Sequence, residues 1–150
     1  MNDVSLLSDA ALDALVGHRF PGGTYRIEAW ENRLLTEATG AEPLPEGLAH
    51  PVHVFHTSLA GAGIGVADIL DLFAFRPSDG VVVVAYDWEL HRPLHEGVLY
   101  RMAGAITGVE RKRRGDRIAD HLFFMVNIDD AAGVPVASIT NEWRISRRQP

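Results

Sequence analysis

The run Arg117-Ile118-Ala119-Asp120-His121-Leu122-Phe123-Phe124-Met125-Val126-Asn127-Ile128-Asp129 decides how this chain folds. Ile118, Leu122, Phe124, Val126 and Ile128 share one face of an extended chain, because successive strand side chains point to opposite sides. The next segment, Pro135 to Ser146, repeats the pattern. Ala137, Ile139, Trp143 and Ile145 oppose Ser138, Thr140, Glu142 and Arg144. Two more extended segments precede these, Val81 to His91 and Val98 to Lys112. The connections are short and carry turn residues: Pro93 to Gly97, Arg114-Gly115-Asp116 and Asp130-Ala131-Ala132-Gly133. Strands joined this closely must run antiparallel. The region 81–146 therefore reads as a four-strand meander.

Upstream, the period changes. Phe55, Leu59, Ala62, Val66, Ile69, Leu70 and Phe73 recur at helical spacing, which predicts one long helix over 55–75. Its middle is small: Ala60-Gly61-Ala62-Gly63-Ile64-Gly65. Glycine costs a helix about 1 kcal/mol relative to alanine, so the pattern points to a helix held close against another backbone. It is not a dinucleotide loop. That fingerprint needs a third glycine where Val66 stands, and a following βαβ unit. An N-terminal helix is expected within 1–17, capped by Ser8 and ended by Gly17, followed by a short strand at Thr24 to Trp30 and a helix from Glu31 to Thr39. A helix followed by a meander is an α+β layout, with an antiparallel sheet wrapped around a central helix.

The chain has 150 residues, enough for a single domain with its own core. Its longest apolar run, residues 80–86, falls far short of the roughly 20 residues that span a membrane. The N-terminus lacks the charged and apolar regions of a secretory signal. With no cysteine, disulfides, thiol nucleophiles and cysteine-bound zinc are excluded. A cytoplasmic location is the expectation. The formal charge of −6 argues against a nucleic-acid partner.

Chemistry-bearing residues concentrate around Pro51. His50, His53 and His56 fall within seven residues. On a helix they would span an arc of about 120°. They can be solvated polar residues, a general acid or base, or metal ligands. The i, i+4 spacing of helical zinc sites is absent, so no metal is expected. Pro51 suits a helix start, where free backbone N–H groups can stabilise a developing oxyanion. Arg111-Lys112-Arg113-Arg114 is either a solvated hairpin tip or a landing patch for a phosphorylated carrier. Asp68 and Asp71 read as solvated helix-end residues. Asp87 and Glu89 alternate with Tyr86, Trp88 and Leu90, so their face meets solvent or a partner. Asp120 lies on an apolar face and needs a cation, with Arg101 across the sheet as the expected partner. His121 reads as an ordinary sheet residue.

These features resemble a known family. A helix with a small middle precedes His91-Arg92-Pro93-Leu94-His95-Glu96-Gly97 and three long strands. This succession is similar to a MaoC-like hot-dog domain, of the N-terminal MaoC type in the enoyl-thioester hydratase and dehydratase branch. The R-P-L-x-x-G turn and Gly47-Leu48-Ala49-His50-Pro51-Val52 carry the likeness, which covers roughly residues 17–147. The resemblance implies a thioester substrate on coenzyme A or acyl carrier protein. It implies reversible hydration of an enoyl group without a cofactor, and a homodimer or heterodimer of hot-dog chains with joined sheets. The family's Asp-x-Asn-Pro-x-His motif is missing. Trp30 to Gly47 contains neither aspartate nor histidine and offers only Glu31, Asn32, Glu37, Glu42 and Glu46. His53 and His56 are then the candidate catalytic residues. Phe55, Gly61, Arg111 and Arg113 are the candidate substrate-binding residues. Two other readings remain open: a hot-dog thioesterase, and a non-catalytic subunit that shapes the acyl site of an active partner.

Overall fold

A computed structural model describes residues 6–147. The part of the expected N-terminal helix that falls in 1–5 lies outside the described residues. In chain order the elements are α1 (Asp9–Asp13), β1 (Gly23–Arg26), α2 (Ala29–Ala38), α3 (His53–Gly61), α4 (Val66–Leu72), β2 (Gly80–Leu90), β3 (Leu99–Arg114), β4 (Arg117–Asp129) and β5 (Pro135–Arg147). A 3-10 turn at Pro45–Gly47 separates α2 from α3. Ser8 caps α1 as expected, its side chain accepting from the Ala11 N–H at 3.1 Å.

The strands form one antiparallel sheet in the order β1-β3-β4-β5-β2. The expected four-strand meander therefore holds only for β3 to β5. Strand β2 does not pair with β3, which follows it, but lies at the edge beside β5, because the Pro93–Gly97 connection crosses to another part of the sheet instead of closing a hairpin. Its inner face carries Met102 and Ile106 of β3, Leu122, Phe124, Val126 and Ile128 of β4, and Ile139, Trp143 and Ile145 of β5, all buried. Val54 of α3 and Ile69 of α4 close over this face. Phe124 sits edge-on to both Phe20 and Trp143, with centroids 5.7 and 5.2 Å away. The apolar alternation read from β4 and β5 is thus the core itself.

The central helix differs from the sequence expectation. The span 55–75 holds two helices, α3 and α4, parted by Ala62 to Gly65. Gly63 lies at φ +70°, and a Cβ there would stand 2.4 Å from the Gly22 carbonyl oxygen. The Gly22 N–H donates to the Ala62 carbonyl at 2.9 Å. Gly65 then opens α4, with its N–H donating to Asp68 Oδ2 at 2.8 Å. The small residues do mark a close backbone approach, but to the segment before β1 and with a left-handed turn that breaks the helix. Periodicity missed this because Phe55, Leu59, Ala62, Ile69, Leu70 and Phe73 keep helical spacing across the break, although Val66 itself is exposed. The strand expected over Thr24 to Trp30 also stops early. The Glu28 N–H donates to Glu31 Oε2 at 2.9 Å, which starts α2 at Ala29.

A second correction concerns Asp120. Arg101 does not neutralise it. Arg111 Nε donates to Asp120 Oδ1 at 2.6 Å, and Arg147 Nε donates to Asp120 Oδ2 at 2.7 Å. Arg147 also reaches Asp79 at 2.9 Å and the carbonyls of Phe73 and Ala74. This network fastens the end of α4 to the far end of the sheet.

At one edge of the sheet, β2 pairs among the described residues with β5 alone. Val81, Val82, Val83, Val84, Trp88 and Leu90 are exposed along it. Asp87 and Glu89 are exposed as well. Among the described residues, no helix is long and apolar enough to cross a membrane.

Candidate active site

Three elements converge where β1 passes the middle of α3. Gly23 and Tyr25 face inward, in register with Met102 and Tyr100. The first turn of α2 brings Glu31, and α3 brings His53 and His56. The Tyr25 hydroxyl donates to Glu31 Oε1, and its oxygen lies 3.1 Å from His56 Nε2. With the phenol proton turned to Glu31, the phenol oxygen is free to accept from His56. Glu31 also lies 3.9 Å from His56 Nε2. The His56 side chain is 49% exposed, against 15% for Glu31. Carboxylate, phenol and imidazole therefore form a chain from the interior to an accessible ring.

The electrostatics keep this chain charged at its inner end. Burial works to raise the Glu31 pKa, but the Tyr25 hydroxyl, the Glu28 N–H and the charges of His56 and His53 outweigh it and hold it below its ordinary value. Tyr25 is pushed up to about 12, first by burial and then by its bond to Glu31. The phenol thus stays protonated while the carboxylate stays ionised.

His53 is different. It is fully buried, and neither ring nitrogen has a hydrogen-bond partner among the described residues. Burial, reinforced by His56 6.3 Å away between ring centroids, holds its pKa below the usual histidine value. Burial thus favours the neutral form of this ring. Thr57, one turn on, likewise buries its hydroxyl without a partner. Only His56 has both a relay and access.

Other site expectations fare differently. Phe55 is half-buried and packs on Tyr86 of β2 at 4.8 Å between centroids. Gly61 is a helix–strand contact, where any Cβ would meet the Met102 side chain at 2.5 Å. Arg111 is 5% exposed and spent on Asp120, on Asp9 and on the Leu7 carbonyl. Arg113 is exposed and paired with Asp9 at 2.6 Å. The oxyanion site expected at the helix start is not free. The N–H groups of His53, Val54 and Phe55 donate to the carbonyls of His50, Pro51 and Val52, and the Val52 N–H donates to His50 Nδ1. The first turn closes on itself in a tight local bonding pattern.

Asn32 is equally occupied. It binds the Leu48 carbonyl, Glu96 and the His50 N–H, bracing the segment before α3. Asp68 is the cap of α4, and Asp71 is exposed. His121 lies on the outer sheet face, 2.9 Å from Glu142. Beside Pro51 and Val54 a small apolar pocket of about 80 Å³ reaches Leu90 and Leu94. Among the described residues no three histidine, aspartate or glutamate side chains are grouped to hold a metal.

The sheet order with a helix laid in its concave side defines the hot-dog fold. One chain of the HadBC (3R-hydroxyacyl-ACP dehydratase) complex from Mycobacterium tuberculosis superposes with a TM-score of 0.64 at 17% identity, covering 87% of this chain and 96% of that one. The MaoC-like dehydratase from Rhodospirillum rubrum gives 0.60 at 15% identity, covering 90% and 94%. The fluoroacetyl-CoA thioesterase FlK gives 0.58 at 16% identity, covering 87% and 86%. No family model and no curated protein matches the chain. At these identities the likeness establishes the fold, which dehydratases and thioesterases share.

Proposed function

We propose that this chain is a MaoC-like component of an enoyl-thioester hydratase or 3-hydroxyacyl-thioester dehydratase, with His56 as its proton-transfer group. The observation that carries this is the Glu31–Tyr25–His56 chain. An ionised carboxylate holds a protonated phenol, and the phenol orients an imidazole at the surface. In the hydration direction His56 takes a proton from water as the oxygen adds to the β-carbon. The water proton goes to Nδ1, and the Tyr25 oxygen, accepting a hydrogen bond from Nε2–H, stabilises the resulting imidazolium together with Glu31. The α-carbon then receives the proton. A positioned acid or base of this kind contributes about 10²–10⁴-fold to rate.

The chain does not form the whole site. Its α3 donors are used internally, so the thioester oxyanion needs donors from a second chain. The pocket of about 80 Å³ is small beside the roughly 300–1,000 Å³ of ordinary ligand clefts. The open, apolar edge of β2 is where a second hot-dog chain, identical or not, would continue the sheet.

A second reading follows from the same facts. Asn32 is structural and the helix donors are taken, so the chain can serve as the silent half of a pair whose partner bears the family motif. The thioesterase reading has less support, because Asp68 caps α4 and is not presented to a substrate. Hydration of enoyl-CoA substrates by wild type, His56→Ala and Tyr25→Phe, each with and without the partner chain, separates these readings. Loss in the variants assigns catalysis here; full activity in both assigns it to the partner.

A further inference from the structure

A hollow of about 710 Å³ opens on the outer side of the sheet. Ala103 and Ala105 of β3 floor it, with Asn127 and Met125 beside them in register. These residues point outward because Met102 and Ile106 alternate inward and are buried. The two alanines keep the floor low. Arg19, bridged to Ala105, stands at one end, and Arg101 stands at the other. Four residue steps of strand separate Arg101 from Ala105, about 13 Å, a span that two guanidinium arms can close on a single phosphate ester.

Both arginines are exposed, and neither side chain has a hydrogen bond or ion pair among the described residues. Asp129 faces Arg101 in register without forming an ion pair with it. Elsewhere Arg76, Arg92, Arg111, Arg113 and Arg147 are tied to carboxylates, and of the arginines left unpaired among the described residues Arg19 and Arg101 are the two that line the hollow. The basic run at 111–114 is therefore largely spent, whereas these two arginines are open to an anion. Guanidinium forks suit phosphate oxygens.

The groove adjoins the candidate active site across one strand. Thr24 pairs with Arg101 and faces outward, whereas Tyr25, the next residue, faces inward to His56. A thioester with its carbonyl at His56 can pass its linker over the four-residue β1 and set its phosphate in the hollow. We infer that Arg19 and Arg101 seat the phosphate ester of the thioester carrier. This rests on the thioester reading above. Coenzyme A and a carrier protein both bear such an ester one pantetheine length from the sulfur. The chain is net acidic, so the attraction is local to these two side chains, and because they are exposed it weakens with added salt.

Calorimetric titration of the full chain with coenzyme A, phosphopantetheine, 3′,5′-ADP and unphosphorylated pantetheine tests this. The double variant Arg19→Ala/Arg101→Ala is compared with wild type and with Arg113→Ala, and Arg19→Gln/Arg101→Gln guards against a folding defect. Both double variants should bind coenzyme A at least about tenfold more weakly, as loss of charged hydrogen bonds requires. Arg113→Ala and pantetheine binding should be unchanged. A loss shared by phosphopantetheine assigns the phosphate next to pantetheine, common to both carriers; a loss seen only with coenzyme A and 3′,5′-ADP assigns the nucleotide end. Equal binding by wild type and double variants overturns the inference, as does a wild type that binds none of the phosphorylated probes. His56→Ala should bind coenzyme A like wild type. Hydration with unaltered coenzyme A affinity in the double variants therefore sinks the seat alone, whereas phosphate-dependent binding without hydration sinks only the catalytic reading.

Discussion

Two polar clusters lie at opposite ends of the sheet, and they are built in opposite ways. Asp120, Arg111, Arg147 and Asp79 are almost wholly buried, and each charge has a matched partner. Tyr25, Glu31, His56 and His53 are fewer in their bonds and graded in exposure. One ring is half open and another is buried with no partner. A saturated network has no capacity left for a ligand, so its role is to hold the chain together. An incomplete cluster gives up stability and keeps donors, acceptors and shifted pKa values for chemistry.

The contrast predicts different losses. The largest loss of stability should follow Asp120→Ala, which takes from two buried guanidinium groups the carboxylate they share and leaves Arg147 on Asp79 and Arg111 on Asp9. A cost of about 3–5 kcal/mol is expected, read as a lowered denaturant midpoint. A change below 1 kcal/mol would mean that the network is far less desolvated than its geometry implies. Gly63→Leu should come next. The side chain would strain a left-handed backbone and strike the Gly22 carbonyl, costing at least about 2 kcal/mol by thermal melting. A neutral result would place the α3–α4 break in open solvent.

His53 should give a smaller, pH-dependent effect. Its folded pKa is depressed, so the folded state binds fewer protons than the unfolded one. Its contribution is complete above the unfolded value near 6.5 and is lost as pH falls through the folded value. The slope approaches about 1.4 kcal/mol per pH unit between the two values. Stability measured from pH 7.5 to 5 should fall in wild type and fall less in His53→Leu. Equal slopes would show that His53 is solvated. The smallest stability effect belongs to Tyr25→Phe, which removes a partly exposed hydroxyl bonded to Glu31 and to His56 and should cost under about 1.5 kcal/mol, although its effect on rate should be large.

The sequence made the strands legible but not the place of β2, which a short connection set beside β3 and the sheet sets beside β5, and it made the site only half legible. Strands β2 to β5 fall within two residues of their expected limits, because period-two alternation and Gly or Asp turns survive any tertiary detail. The α3–α4 break was hidden because a left-handed glycine leaves no mark on hydrophobic spacing. His53 and His56 stood out as a cluster, but Tyr25 lies 31 residues from His56 in sequence, and an edge strand delivers it. The Glu28–Glu31 capping pair was the one available hint of where Glu31 would sit. Arg111 looked like a hairpin tip by composition, yet register sets it opposite Asp120.

The claim that the open cluster is catalytic meets its most direct test in the rate of enoyl-CoA hydration by His56→Ala, assayed with its hot-dog partner beside wild type. The account predicts a loss of about 10²–10⁴-fold with an unchanged melting temperature. A variant that keeps the full rate of an active wild-type assembly would contradict it and leave catalysis to the other chain.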